Sequence, residues 1–278
     1  MLRRFLVFFF VVALTAAADD LFAGNQQSET TKDETPQKTL PLSGEVFLVD
    51  RCPAFLIPPT HPFPEKPTPW VWYAPTLPGL PDDAEKWMFE RFTGAGIAIG
   101  GVDVGESYGS PNGRSKYTAF YRTLVDKRGM SRKPVLLARS RGGLMLYAWA
   151  CENPDRVAAI AGIYPVCNIE SYPGIERAAG AYRLTAADFK GQLRRHNPLD
   201  RLDSLAKARV PLFAIHGDVD TVVPLAQNSG EMARRYSALG GKMELIVPKG
   251  QGHNMWRGFF ECQELVDFVI KHATANGN

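Results

Sequence analysis

The sequence predicts an α/β fold: a mostly parallel sheet of eight strands with helices on both faces and a short cap insertion. Three observations carry the prediction. The chain has 278 residues, 45% hydrophobic and 22% charged, which is ordinary globular composition and enough for one large core. Beyond residue 84, short apolar runs alternate with segments of helical periodicity, the pattern of strands joined through helices. Residues that can carry chemistry fall just past three of those strands, at the sheet edge where open α/β folds place their sites.

The first stretch precedes the fold. Met1-Leu2-Arg3-Arg4 is basic, Phe5 to Leu14 is apolar, and Thr15-Ala16-Ala17-Ala18 is a run of small residues before Asp19. This reads as a removable export signal over residues 1–18, since the apolar run is shorter than the roughly 20 residues that cross a bilayer. No cysteine follows the small residues, so no lipid anchor is expected. Residues 19–41 are rich in Thr, Gln, Ser and Lys and read as a flexible linker. The domain proper is expected over 42–278.

Within it, Gly44 to Val49 and Pro53 to Ile57 read as two strands joined in a hairpin by Asp50-Arg51-Cys52. A proline-rich loop with His61 leads to a third strand, Trp70-Val71-Trp72-Tyr73. Glu85 to Thr93 has a helical stripe of Trp87, Met88 and Phe92. Gly96 to Val104 is apolar and glycine-rich, as a buried parallel strand can be. Tyr117 to Lys127 is a helix, Pro134 to Ala138 a strand, Gly142 to Ala150 a helix that stops near Asn153-Pro154, and Val157 to Ile163 a strand. After an insertion, 167–209, come a strand at 210–215, a helix at 225–239 closed by Gly240-Gly241, a strand at 243–247 and a last helix at 259–272.

Net charge is +3, and two of the basic residues, Arg3 and Arg4, lie in the leader, so the remainder is nearly neutral. Nucleic acid and stable membrane insertion are therefore not expected as partners. Cys52, Cys151, Cys167 and Cys262 are even in number and allow three pairings. Export makes a bond plausible, and Cys167–Cys262 is the expected pair, because both are placed at the C-terminal edge of the sheet. No spacing fits zinc, and neither a metal nor a cofactor is expected.

The chemistry centres on Val135-Leu136-Leu137-Ala138-Arg139-Ser140-Arg141-Gly142-Gly143-Leu144-Met145. An apolar strand ends in a serine, with small residues two before it and two and three after it, and a helix leaves at once. This is the pattern of a nucleophile elbow, with Ala138 in the first glycine position. The strand at 210–215 is followed by His216-Gly217-Asp218-Val219-Asp220-Thr221-Val222-Val223-Pro224. The last strand is followed by Lys249-Gly250-Gln251-Gly252-His253-Asn254-Met255-Trp256. A histidine in a glycine-rich loop past a strand is where a general base would sit.

These three stretches, in this order, resemble the α/β-hydrolase superfamily, in its prolyl-oligopeptidase-like or dienelactone-hydrolase-like branch. The resemblance covers 42–273. It implies Ser140 as nucleophile, His253 as base and Asp220 as the acid that orients the histidine. Asp218 is the rival acid; the branch's Asp-x-x-x-Pro pattern selects Asp220 and leaves Asp218 to cap the loop. His216 is expected to be structural. One oxyanion donor should be the Arg141 N–H. The other should come from Ala74-Pro75-Thr76-Leu77-Pro78-Gly79, where the prolines have no N–H, leaving Thr76 or Leu77.

Arg139 and Arg141 flank the serine. They are expected either to ion-pair with acids such as Asp103 or Glu106, or to reach a substrate carboxylate or sugar hydroxyls. The Ser-Arg pair also looks like the glucuronoyl esterases. Glu106 and Trp256 are further candidates for lining the pocket. The aromatic residues at the insertion (Tyr164, Tyr172, Tyr182) are expected to cover a small site. Together these features point to an exported serine hydrolase acting on a small-molecule or saccharide ester. A small serine peptidase and a non-catalytic binding protein of the same fold are the alternatives. The peptidase is set second because its relatives usually carry a β-propeller ahead of the hydrolase domain, and only 41 residues precede this fold.

Overall fold

The computed structural model describes residues 37–61 and 67–275. The expected leader, 1–18, and residues 19–36 of the expected linker lie outside the described residues. Eight strands form one sheet: β1 (Glu45–Val49), β2 (Cys52–Ile57), β3 (Trp70–Ala74), β4 (Ala98–Val102), β5 (Val135–Arg139), β6 (Ala159–Ile163), β7 (Leu212–Ile215) and β8 (Met243–Ile246). Their order is β1-β2-β4-β3-β5-β6-β7-β8. β1 and β2 form the expected hairpin, and β2 also runs antiparallel to β4. Every other pairing is parallel. Asp50 and Arg51 make the hairpin turn with φ of 48° and 60°, the left-handed geometry that keeps the strand twist continuous.

The period of two sorts side chains between the faces. Trp70 and Trp72, with Leu136, Ala138 and Ile160, point to one side, against α2 (Pro111–Arg128), α3 (Gly142–Glu152) and α7 (Ser229–Ala238). Val71 and Tyr73, with Val135, Leu137, Ala159 and Ala161, point to the other. There they meet α1 (Lys86–Gly94) and α9 (Gln263–Thr274). The helix behind the serine, α3, buries every residue from Gly142 to Cys151, so it is apolar all round rather than amphipathic. A four-residue helix, α8 (Arg257–Phe260), precedes α9. Among the described residues no helix is long and apolar enough to cross a membrane.

Three expectations are corrected. The helix at 117–127 starts earlier, at Pro111, because Ser110 caps it by accepting from Gly113 N–H and Pro111 pre-sets its first turn. The last residues of the expected linker, 38–41, are ordered against the fold: Leu40 packs on the core beside Leu42, and Lys38 is hydrogen-bonded. The expected Cys167–Cys262 bond is absent; all four cysteines are buried and free. Cys52, Cys151 and Cys167 belong to the core on one face of the sheet and Cys262 to the core on the other.

The insertion carries α4 (Ile175–Ala179), α5 (Ala186–Gln192) and α6 (Leu202–Lys207). Its aromatic residues turn inward. Tyr182 stacks on Phe189 at 4.2 Å between centroids and donates to Tyr108 O, closing a separate apolar cluster over Leu144 and Val166.

Candidate active site

β5 ends at Arg139 and α3 begins at Gly142, leaving two residues for the turn. Ser140 adopts φ of 50°, a left-handed conformation that costs a non-glycine residue on the order of 1 kcal/mol and persists only where its surroundings enforce it. Here they do. Ser140 N–H donates to Ile163 O (3.0 Å), and Ser140 O accepts from Val166 N–H (2.8 Å) and Gly143 N–H (3.0 Å). The small residues after it are required by contact. A Cβ on Gly142 would lie 2.1 Å from Ala74 O, and one on Gly143 would lie 2.3 Å from Val166 O.

Ser140 Oγ lies 2.8 Å from His253 Nε2. On the far side of the ring, His253 Nδ1 is 2.8 Å from Asp220 Oδ2. Residues 113 apart in the chain are thereby joined, and the acid chosen from sequence is the one in line. The remaining Asp220 oxygen, Oδ1, accepts from Val222 N–H (2.9 Å) and Val223 N–H (2.8 Å). Burial pushes the Asp220 carboxyl up, but hydrogen bonds from His216, His253 and Val223 outweigh it and hold the group well below the usual carboxylate range. A carboxylate that stays ionised is what the histidine needs behind it.

Asp218 does a different job. It accepts from Gly250 N–H at 2.7 Å and ties the acid loop to the histidine loop, the capping role expected for it. His216 is fully buried between Ser229 Oγ (2.8 Å) and Val223 O (2.7 Å), and braces the Asp220 loop from beneath.

The serine opens into a pocket of about 220 Å³ lined by Pro75, Leu80, Arg139, Ser140, Arg141, Tyr164, His253, Asn254 and Met255. Both arginines are present in it and both are already paired. Arg139 Nη1 donates to Glu85 Oε1 (2.8 Å) and Asp82 Oδ2 (3.2 Å), while its Nη2 faces Met255 Sδ at 3.1 Å. Arg141 pairs with Glu106, as the ion-pair reading expected; Asp103 instead accepts from Gly105 N–H. Glu106 is thus a partner of Arg141 and not part of the pocket lining.

Trp256 is not in the lining either. It packs edge-on against Phe259 at 5.3 Å and stays 41% exposed, while Met255 before it takes the wall position. No residue of 167–209 lines the pocket, because the insertion's aromatics are engaged in their own cluster.

Three contributors, Asp82, Glu85 and Tyr73, were missed in the sequence. Asp82 and Glu85 belong to a capping box at the start of the short helix before α1, a pattern legible in Asp82-Asp83-Ala84-Glu85. Burial raises the Glu85 carboxyl, against the pull of Arg139 and the Asp82 N–H. Tyr73 donates to Glu85 from β3. Tyr164, just past β6 and one of the aromatics expected over the site, lines the pocket 4.3 Å from the His253 ring between centroids, and burial pushes its hydroxyl up to about 12 against the pull of Arg139.

The Arg141 N–H, at the head of α3, has no backbone acceptor among the described residues. Thr76 and Leu77 are not in the pocket lining, which their loop reaches through Pro75 and Leu80. Thr76 is buried, its Oγ1 donates to Val102 O at 2.6 Å, and Lys38 Nζ donates to Leu77 O at 2.8 Å and Thr76 O at 3.3 Å.

The fold is shared with known proteins. The chain is similar to a puromycin-hydrolysing peptidase of Mycobacterium tuberculosis, at 18% identity and TM-score 0.67 over 83% of this chain and 40% of that one. It is similar to acylaminoacyl peptidase of Pyrococcus horikoshii, at 15% identity and TM-score 0.65 over 83% of this chain and 42% of that one. It also matches Est1E from Butyrivibrio proteoclasticus, at 16% identity and TM-score 0.63 over 84% of this chain and 100% of that one. The chain thus spans about two-fifths of the two peptidases. No curated protein matches its sequence. The prolyl oligopeptidase family matches residues 118–274, which hold the serine, the acid and the histidine. With an α/β-hydrolase sheet, an elbow serine and a match over more than half its length, the chain belongs to the prolyl oligopeptidase family of serine hydrolases.

Proposed function

We propose that the protein is an exported serine hydrolase that cleaves a carboxylic ester through an acyl-enzyme on Ser140. The observation that carries this reading is the relay of two 2.8 Å contacts from Ser140 Oγ through His253 to Asp220. A serine hydroxyl is a weak nucleophile at neutral pH and needs a base within hydrogen-bond reach. His253 Nε2 takes the Ser140 proton as Oγ attacks the ester carbonyl. Asp220 keeps Nδ1 protonated and stabilises the imidazolium. The tetrahedral oxyanion is held by the Arg141 N–H and an N–H of the 75–77 loop. His253 returns the proton to the departing alkoxide, and water then repeats the sequence on the acyl-enzyme.

The pocket supports a small, uncharged acyl or sugar group. Its volume is about 220 Å³, and the two guanidinium groups beside Ser140 already face carboxylates, so neither offers a free charge to an anionic substrate. Acylated sugars and uronate esters are the substrate class this favours. Export is supported by the basic, apolar and small-residue order of residues 1–18.

A second reading, a peptidase, is favoured by the family itself. A fluorophosphonate probe tests the common chemistry: the wild type labels and Ser140→Ala does not. An unlabelled wild type rejects a serine hydrolase of either kind. Hydrolysis of p-nitrophenyl acetate against an Ala-Pro-amide then separates esterase from peptidase, and a panel of acetylated sugars, uronate methyl esters and short acyl esters ranks the substrates.

A further inference from the structure

Among the described residues of the segment before the fold, Lys38 places its charged group on the loop next to the site. Its ammonium is half-buried and lies on two successive carbonyls, Thr76 O at 3.3 Å and Leu77 O at 2.8 Å, of the loop whose Pro75 and Leu80 line the pocket with Ser140. Asp103, at the end of β4, is the carboxylate near it. Burial lowers the lysine against the pull of that carboxylate, so holding the ammonium there carries a desolvation cost. Such a cost is not needed merely to fasten a segment whose Leu40 and Leu42 already pack on the core.

The loop Lys38 grips is fixed on its other sides. Thr76 Oγ1 is anchored to Val102 O, Leu80 N–H donates to Leu77 O, and Ala74 O abuts Gly142 in the elbow. Pro75 and Leu80, at the two ends of the gripped residues, line the pocket with Ser140. The Thr76 carbonyl and the Leu77 N–H are the two ends of one peptide group. That peptide is trans, so its N–H points away from the oxygen that faces Lys38. Neither Thr76 N–H nor Leu77 N–H has a backbone acceptor among the described residues. A cation on a peptide oxygen draws electron density from its nitrogen and makes the N–H a stronger donor, as in any polarised hydrogen-bond chain.

We propose that Lys38 is a positioning residue of the hydrolytic site, and that by holding and polarising the Thr76–Leu77 peptide it makes the Leu77 N–H the second oxyanion donor. This rests on the serine-hydrolase reading above. It assigns a function to a segment that the sequence presents as linker. Of the two candidate donors, the Leu77 N–H is the one that a cation on Thr76 O polarises directly. A charge on Leu77 O polarises a bond to Pro78, which has no N–H to offer.

The test uses the full chain and the rate of fluorophosphonate labelling, whose phosphoryl oxygen takes the oxyanion's place. Lys38→Met is expected to cut the maximal labelling rate about tenfold, a fraction of the 10² to 10³ lost with a whole oxyanion donor. The half-saturating probe concentration should change little, because the interaction strengthens in the transition state and not on binding. Lys38→Arg, which keeps a cation in reach, should recover most of the rate. Leu77→Pro, which deletes the N–H itself, should lose about 10² or more. A Lys38→Met protein that labels at the wild-type rate overturns the proposal. So does a Lys38→Met protein whose rate falls only in proportion to a loss of folded protein, measured by thermal melting. Wild-type protein that does not label, or Ser140→Ala protein that does, overturns the serine-hydrolase reading beneath it instead.

Discussion

Asp220 and Asp218 stand two residues apart in one loop and are held by different partners. The first faces His253 and the second faces the Gly250 N–H. Asp220→Asn is expected to lower turnover by about 10⁴, since the amide can hold the imidazole in the wrong tautomer. Asp218→Asn should cost less than tenfold, because it loosens a loop without touching the relay. Equal losses in steady-state kinetics would mean that the relay is misassigned. Asp220 also carries a pH signature. Its folded-state carboxyl titrates below the usual range, so the group stabilises the fold above the unfolded value of about 3.9 and loses that contribution as pH falls toward its folded value. The gap in Tm between wild type and Asp220→Asn should therefore narrow between about pH 5 and pH 3. The serine, the acid and the histidine were legible because each follows its own strand. The partners of Arg139 were not: Asp82 and Glu85 come from a turn more than fifty residues away, and only the folded sheet brings them beside β5.

The elbow works as an element because α3 leaves β5 with no room to spare. Gly142→Ala would place a methyl group 2.1 Å from Ala74 O and 2.5 Å from Pro75 N. Backbone cannot yield as a side-chain tip can, so the helix and the 75–77 loop must part. A loss of about 1–3 kcal/mol in stability is expected, as for overpacking generally, together with a fall in probe labelling well beyond what that loss explains. Thermal melting and labelling on one preparation separate the two effects. Alternation of strands and helices gave the order of elements, and the glycines gave the turn. What the pattern hid were edges set by single side chains, such as the Ser110 cap that starts α2 ahead of its apolar stripe. The insertion's aromatics were visible, but whether they face the site or each other depends on packing that periodicity does not encode.

At the scale of the molecule, the sheet is a wall between two cores, and the cysteines show what the wall does. Cys262 lies behind it from the other three. Burial pushes the Cys151 thiol up to about 12 and the Cys262 thiol up to about 11, which leaves little thiolate to react near neutral pH. Native protein should thus be nearly inert to a thiol reagent such as DTNB over minutes and give all four thiols in guanidinium; fewer than four after unfolding would reveal a bond. The proximity of two cysteines to one edge of the sheet could be read from sequence, but not the face on which each lies. The same edge carries the acid and histidine loops, which are fastened to one another. Val219 N–H donates to Gln251 O, Asp218 accepts from Gly250 N–H, and Gly217 presses on the Gln251 backbone. The base and its acid therefore ride on a single body. An opening that draws His253 away from Ser140 is expected to carry Asp220 with it and to break the relay at the serine. Reclosure would then return an imidazole whose Nδ1 is still held by Asp220.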